Sequence, residues 1–241
     1  MNYTITILRQ ADRDAEPYRQ VVAFSTDDAE MTVATLLKTL NATPDLTDTD
    51  GKAVSSIQWE CSCLQKKCGA CAMRINGRPR LACDTKLGAF KNGCIILEPL
   101  KKFPVIADLI VDRSVMFDNL KNIGLWLEKE ARHTTKGEEL AYEASRCLQC
   151  GCCLEVCPNF IPGEEFYSAA SFVPTARVLS ELPKKDKADL LGSYVDKIYK
   201  GCGKSLSCRD ICPVQIDIEH LLVNNNAVAV WKRFIPLKQK R

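Results

Sequence analysis

The stretch Cys147-Leu148-Gln149-Cys150-Gly151-Cys152-Cys153-Leu154-Glu155-Val156-Cys157-Pro158 decides how the second half of this chain is built. Its cysteines follow the spacing C-x2-C-x2-C-x3-C-P. A second stretch, CGKSLSCRDICP at 202–213, overlays it. Cys147, Cys153, Cys157 and Pro158 align with Cys202, Cys208, Cys212 and Pro213, and Ser205 stands opposite Cys150. The repeated unit is too short to be a stacking module and reads as a pair of ligand loops.

Around this pair, the chain of 241 residues is long enough for one large or two modest domains. Its 46% apolar and 26% charged residues are ordinary for a globular protein. With 33 basic and 30 acidic residues the charge is too balanced for a nucleic-acid footprint. Only cysteine is unusual: 14, against 2 histidines. That imbalance excludes most histidine-based zinc catalysis, and the lack of a C-x-x-C-H excludes haem c. The N-terminus, MNYTITILRQADRDAEPYRQ, carries no charged-then-apolar pattern, so the chain is read as non-exported. Apolar runs such as Cys94–Leu97 fall far short of the roughly 18 residues a membrane span needs. In a reducing compartment the cysteines are read as metal ligands, not disulfides.

The first hundred residues read as strands and turns. Thr4–Leu8 and Tyr18–Phe24 alternate like strands, and Asp27–Leu40 has an apolar helical face. Asn76-Gly77, between Ala72–Ile75 and Arg78–Ala82, signals a hairpin, with Pro79 placing its second arm at a sheet edge. After Pro99 and Pro104 the pattern turns helical through Leu109, Ile110, Phe117, Leu120 and Leu127, then over Glu164–Leu182 and Asp186–Lys200. The expectation is an α+β chain with a small α/β domain over 1–104 and an all-helical domain over 105–241.

Three groups of cysteines follow. Cys63, Cys68, Cys71 and Cys83 give C-x4-C-x2-C-x11-C, the plant-type spacing for a [2Fe–2S] cluster; the hairpin returns Cys83 toward Cys71. A structural zinc is the alternative, but zinc sites favour paired C-x2-C knuckles. The run at 147–158 has the spacing for a [4Fe–4S] cluster. In paired runs the fourth cysteine serves the other run's cluster, so Cys147, Cys150 and Cys153 take Cys212 as fourth ligand. Cys202 and Cys208, joined by Cys157, then offer three thiolates with Ser205 in place of the fourth. Three thiolates suit a [3Fe–4S] cluster; a serine oxygen on a fourth iron is the alternative.

Cys61, Cys94 and Cys152 are left over, Cys152 being read as packing against a cluster. His133 and His220 are too isolated for a Rieske centre and read as surface or packing residues. Lys66, Lys67, Arg74, Arg78 and Arg80 crowd the first motif, either as a solvated face or as an offset to cluster charge and a dock for an acidic partner. Lys232, Arg233, Lys238, Lys240 and Arg241 form either a solvated terminus or a contact to anionic headgroups.

The plant-type motif ECSCLQKKCGACAMRINGRPRLAC, then LEPLKKFPVIADLIVDRS, then two runs with a defective second one, resembles the iron–sulfur subunit of succinate dehydrogenase/fumarate reductase. The resemblance covers nearly the whole chain, in order. It implies an N-terminal β-grasp plant-type ferredoxin domain followed by an all-helical, bacterial-ferredoxin-like domain. It also implies partners: a flavoprotein subunit carrying FAD, which interconverts succinate and fumarate, and membrane-anchor subunits with a quinone site. The chain would then lie peripherally at the cytoplasmic face of the cell membrane, with no nucleic-acid partner. Electrons would pass between flavin and quinone by way of the [2Fe–2S], [4Fe–4S] and [3Fe–4S] clusters, and the chain itself would bind no substrate.

Some residues depart from that pattern. Ubiquinone-using members carry a tryptophan shortly after the first C-P, where this chain reads Asn159-Phe160-Ile161-Pro162. They place a histidine where Gly203 stands, and the lysine expected after the last cysteine falls near Asn224-Asn225-Asn226. These differences shift the expected partner from ubiquinone to menaquinone or to a non-quinone partner. The alternative functions are a soluble fumarate or enoate reductase with a non-quinone donor, and a zinc-stapled interaction protein.

Overall fold

The computed structural model describes residues 1–127, 135–182 and 187–231, and it divides into two units, Met1–Arg113 and Ser114–Arg241. The first is α+β and the second is helical, with no strand among its described residues.

The first unit is built on a five-stranded mixed sheet. Strands β1 (Asn2–Arg9) and β2 (Tyr18–Ser25) pair antiparallel, as the alternation predicts. Strands β3 (Ala72–Ile75) and β4 (Arg78–Leu81) form the expected hairpin, with Asn76 and Gly77 both left-handed at φ 49° and 76°. β5 (Cys94–Glu98), a short apolar run in the sequence, inserts parallel to β1 and antiparallel to β3. The order β2-β1-β5-β3-β4 puts Pro79 on an edge strand, where its missing N–H costs no ladder bond.

Helix α1 (Val33–Ala42) starts later than the expected residue 27, because the Thr32 hydroxyl caps it by accepting from the Thr35 N–H at 3.2 Å. Its Val33, Leu36, Leu37 and Leu40 are buried, as are Ile5, Ile7, Ile75, Ile95 and Leu97 of the sheet. Burying each such side chain contributes about 1.5–3 kcal/mol before conformational entropy is subtracted.

Residues 105–113 differ from the expectation. Val105–Ala107 (β6) and Ile110–Val111 (β7) form a small hairpin, not a helix, and belong to the first unit, so the division falls after Arg113 rather than at residue 104. The cause is polar. Asp108, at the hairpin's turn, is 3% exposed and accepts from Arg9 Nε at 3.0 Å, Gln10 N at 2.9 Å and Gln58 N at 2.9 Å. Helical periodicity at Leu109 and Ile110 could not reveal a carboxylate serving partners fifty and a hundred positions away.

In the second unit, α2 (Ser114–Ile123), α3 (Thr135–Ser145), α6 (Ala188–Tyr194) and α8 (Ile218–Asn226) pack against α5 (Ser168–Glu181). α5 is buried along most of its length, with Phe172, Val173 and Ala176 at its centre. α6 runs into a π-helical turn at Val195–Tyr199, so the expected helix over 186–200 is broken in type but not in direction. Two one-turn helices, α4 (Cys152–Val156) and α7 (Ser207–Ile211), carry the repeated motif and pack on each other.

Candidate metal centres

The first cysteine loop is bent by residues with left-handed backbones: Leu64, Lys66 and Gly69 at φ 53°, 59° and 76°. The bends turn N–H groups inward. Gln65 N and Lys67 N each donate to Cys63 Sγ at 3.3 Å, and Lys66 N donates to Cys83 Sγ at 3.3 Å. The Gln65 N–H, the Lys67 N–H and Cys68, in that order, draw the Cys63 thiol down to about 7. Burial pushes Cys71 up to about 12, and the neighbouring Cys83 and Cys68 charges push it the same way. Cys63 thus lies within electrostatic reach of Cys68, and Cys71 within reach of Cys68 and Cys83.

Arg113, which the sequence reading passed over, holds this loop from outside. Its guanidinium donates to Glu60 Oε2 at 2.7 Å and to the carbonyls of Ala70 and Ala72, on either side of Cys71, at 3.1 and 3.2 Å. Nearby basic residues are partly neutralised: Lys66 pairs with Asp84 at 2.7 Å and Arg74 with Glu98 at 3.4 Å.

The two runs in the second unit repeat each other in backbone as well as in sequence. Gln149 and Gly151 of the first are left-handed at φ 50° and 86°, and their counterparts Lys204 and Leu206 at 56° and 56°. Leu206 adopts the conformation without being glycine, which costs about 1–2 kcal/mol. Ser205 thus occupies in the second loop the place Cys150 has in the first.

Two cavities follow from this arrangement. Cys147, Cys150, Cys153 and Cys212 line one, with Ala169, Val173 and Ile216 as apolar wall. Cys157, Cys202, Cys208 and Ser205 line the other, with Phe166, Phe172 and Leu222. Each run sends its last cysteine to the cavity of the other. Burial pushes Cys147 and Cys208 up to about 11 and Cys153 well above its ordinary value. Thiols this reluctant to ionise become ligands when a cation compensates the sulfur charge.

The donor set fits iron–sulfur clusters: soft thiolates, backbone N–H groups on sulfur, and apolar walls. Among the described residues no three Cys, His, Asp or Glu side chains are disposed to hold a single metal ion. A polynuclear cluster spreads its ligands over several irons and makes a different demand.

The family profile for the 2Fe-2S iron-sulfur cluster binding domain matches residues 4–118, and that for the 4Fe-4S dicluster domain matches 143–216. The succinate dehydrogenase iron-sulfur subunit of Bacillus subtilis (strain 168) is 32% identical over 223 residues, covering 88% of this chain and 86% of that protein. The chain belongs to the succinate dehydrogenase/fumarate reductase iron–sulfur subunit family. The fumarate reductase iron-sulfur subunit of Wolinella succinogenes is 34% identical over 171 residues, covering 65% of this chain and 71% of that one. A chain of the Mycobacterium smegmatis Sdh1 complex in the apo form shares the fold, with a TM-score of 0.75, 21% identity and 98% of each chain covered.

As a succinate dehydrogenase/fumarate reductase iron–sulfur subunit, the chain is part of an oxidoreductase complex. Its remaining cysteines divide: Cys61 and Cys94 are exposed, and Cys152 is fully buried. His220 is exposed at the start of α8, where its N–H meets the Asp217 cap at 3.0 Å. His133 and the basic tail Lys232, Arg233, Lys238, Lys240 and Arg241 lie outside the described residues. Asn225 and Asn226 turn inward: Asn225 Nδ2 donates to the Phe172 carbonyl at 3.0 Å, and Asn226 Oδ1 accepts from Tyr194 Oη at 2.7 Å. Sequence reasoning also missed Arg146, which precedes Cys147, holds Glu143 and donates to the Val214 carbonyl two residues after Cys212. No spacing rule signals such a clamp.

Proposed function

We propose that this chain carries single electrons between the FAD of a flavoprotein subunit and a quinone, with menaquinone favoured, in a succinate dehydrogenase/fumarate reductase complex. The observation that carries this reading is the exchange of cysteines between the two runs, which groups Cys212 with Cys147, Cys150 and Cys153, and Cys157 with Cys202 and Cys208.

In this reading Cys63, Cys68, Cys71 and Cys83 hold a [2Fe–2S] cluster in a β-grasp domain. Cys147, Cys150, Cys153 and Cys212 hold a [4Fe–4S] cluster, and Cys157, Cys202 and Cys208 a [3Fe–4S] cluster, in a bacterial-ferredoxin-like domain. Such clusters, when bound, supply the one-electron chemistry that side chains lack. The chain's residues do the rest. The thiolates fix position, the N–H groups of Gln65, Lys66 and Lys67 offset sulfur charge, and Phe166, Phe172 and Val173 keep water from the cavities. Ser205 offers no thiolate, so the second run is suited to three irons.

Gly203, where ubiquinone-using members carry a histidine, supports a partner other than ubiquinone, menaquinone being the one proposed. A Cβ there would stand 3.1 Å from Asn159 Nδ2, whose amide donates to the Gly201 carbonyl at 2.7 Å. Any side chain at that position would require the Asn159 amide to give way. No helix among the described residues is long and apolar enough to cross a membrane. Membrane attachment through anchor subunits, at the cytoplasmic face, is part of the same proposal and is supported by the family to which the chain belongs.

The test is electron paramagnetic resonance of the oxidised complex with iron counted in the same sample. About nine irons per chain and a signal near one spin are expected, since only the three-iron cluster is paramagnetic when oxidised. About ten irons and no signal would overturn the [3Fe–4S] assignment, and a colourless, iron-free complex the whole reading.

A further inference from the structure

Gln149 lies between two cysteines of the first run, and its side chain stays at their cavity. Its Nε2 donates to Cys147 Sγ at 3.3 Å and to the Ala170 carbonyl at 3.0 Å. An amide NH2 has two protons, and a carbonyl oxygen and a ligand thiolate both only accept. Turning the amide over would set Oε1 against a sulfur and a carbonyl oxygen, so the donor orientation is the one the surroundings allow. Two penalties accompany it. Oε1 is buried without a hydrogen-bond partner, and the Gln149 backbone is left-handed at φ 50°. An apolar side chain would escape the first of these. The amide's distinguishing contribution is an N–H on sulfur.

The counterpart in the second run is Lys204, with the same backbone hand at φ 56°. Its ammonium is directed to the Cys202 carbonyl at 3.4 Å and over the Tyr199 ring at 5.3 Å. The two loops, alike in backbone, thus differ in what this position presents.

We propose that Gln149 is a positioning residue that raises the reduction potential of the [4Fe–4S] cluster through its hydrogen bond to the Cys147 sulfur. The charge added on reduction resides largely on sulfur. A donor aimed at a ligand sulfur therefore stabilises the reduced state more than the oxidised one. The inference rests on the assignment of Cys147 as a ligand of that cluster.

The test uses the intact complex, titrated potentiometrically and followed by electron paramagnetic resonance. Gln149→Met keeps the length and unbranched shape and removes both N–H groups. The reduction equilibrium of the [4Fe–4S] cluster is expected to fall about tenfold, a shift of ~59 mV for one electron. The [2Fe–2S] midpoint should hold still and serves as the internal reference. A loop tether with no electronic role would leave the potential unmoved at full iron content, and that result overturns the proposal.

A second measurement needs no variant. Pulsed resonance on wild-type complex labelled with 15N in glutamine side chains should show a nitrogen coupled to the reduced [4Fe–4S] cluster. A signal without that coupling overturns the role of Gln149 while leaving the ligands in place. If wild-type complex gives no reducible [4Fe–4S] signal, the ligand assignment itself falls.

Discussion

Asp108→Ala removes a carboxylate that joins three separate stretches of the first unit. The Arg9 guanidinium and the Asp108 carboxylate are each 4% exposed and 3.0 Å apart. Without Asp108, Arg9 keeps Gln20 Oε1 at 2.7 Å and the oxygens of Ser55 and Ser56, all neutral acceptors. A buried charge left without its counter-charge costs about 3–5 kcal/mol. The N–H groups of Gln10 and Gln58 lose their acceptor too, at about 1–3 kcal/mol each where water does not reach them. A total near 4 kcal/mol is the conservative figure, water replacing part of the second loss. Hydrogen exchange by mass spectrometry on the complex reads this locally, because Leu109 N is bonded to the Gln58 carbonyl at 3.1 Å and Asp108 N to the Gln10 carbonyl at 2.7 Å. At about 1.4 kcal/mol per tenfold, protection over residues 105–111 should drop by roughly 500-fold or more where local opening governs exchange. Arg113 follows directly on this hairpin and holds Ala70 and Ala72, so loss of iron from the first site should quicken as well. A drop smaller than about tenfold would refute the reasoning, since it would mean that Arg9 is satisfied by neutral oxygens alone.

Three further outcomes are expected. Ser205→Cys places a thiol where the first loop has Cys150, so iron should rise by about one per chain and the oxidised resonance signal should vanish; an unchanged signal would show that the two loops are not equivalent in depth. Gly93→Ala should lower the melting temperature, because Gly93 has φ 68° and a Cβ there would stand 2.6 Å from the Asn2 carbonyl oxygen; the left-handed penalty alone is about 1–2 kcal/mol, and wild-type melting would mean that the β1–β5 junction yields freely. Tyr194→Phe leaves Asn226 Oδ1 buried without its 2.7 Å donor and should cost about 1–3 kcal/mol in urea unfolding, against no change if water reaches the site.

Cysteine spacing by itself determined most of the candidate chemistry. Ligand loops are local: the intervals between Cys63, Cys68 and Cys71, or between Cys147, Cys150 and Cys153, are set by how few residues can wrap one cluster, so they are written in the primary sequence. The hairpin at Asn76-Gly77 was legible for the same reason, since a two-residue turn needs two left-handed residues in a row. The exchange of Cys157 and Cys212 was legible only because the motif repeats and a proline follows each last cysteine.

Tertiary structure alone decided the remainder. β5 between β1 and β3 reads as nothing more than a short apolar run, because strand partners ninety positions apart leave no periodic trace. The hairpin of residues 105–111 resembled a helix in pattern, and the buried Arg9–Asp108 pair overrode that pattern. Nothing in the sequence marks Asn225 and Asn226 as interior residues, yet their amides are bonded inside the core. The donors that shape the sulfur environment, Lys66 N, Gln149 Nε2 and the Arg113 clamp, are the extreme case. A hydrogen bond depends on direction within a few tenths of an ångström, and only the folded chain sets direction.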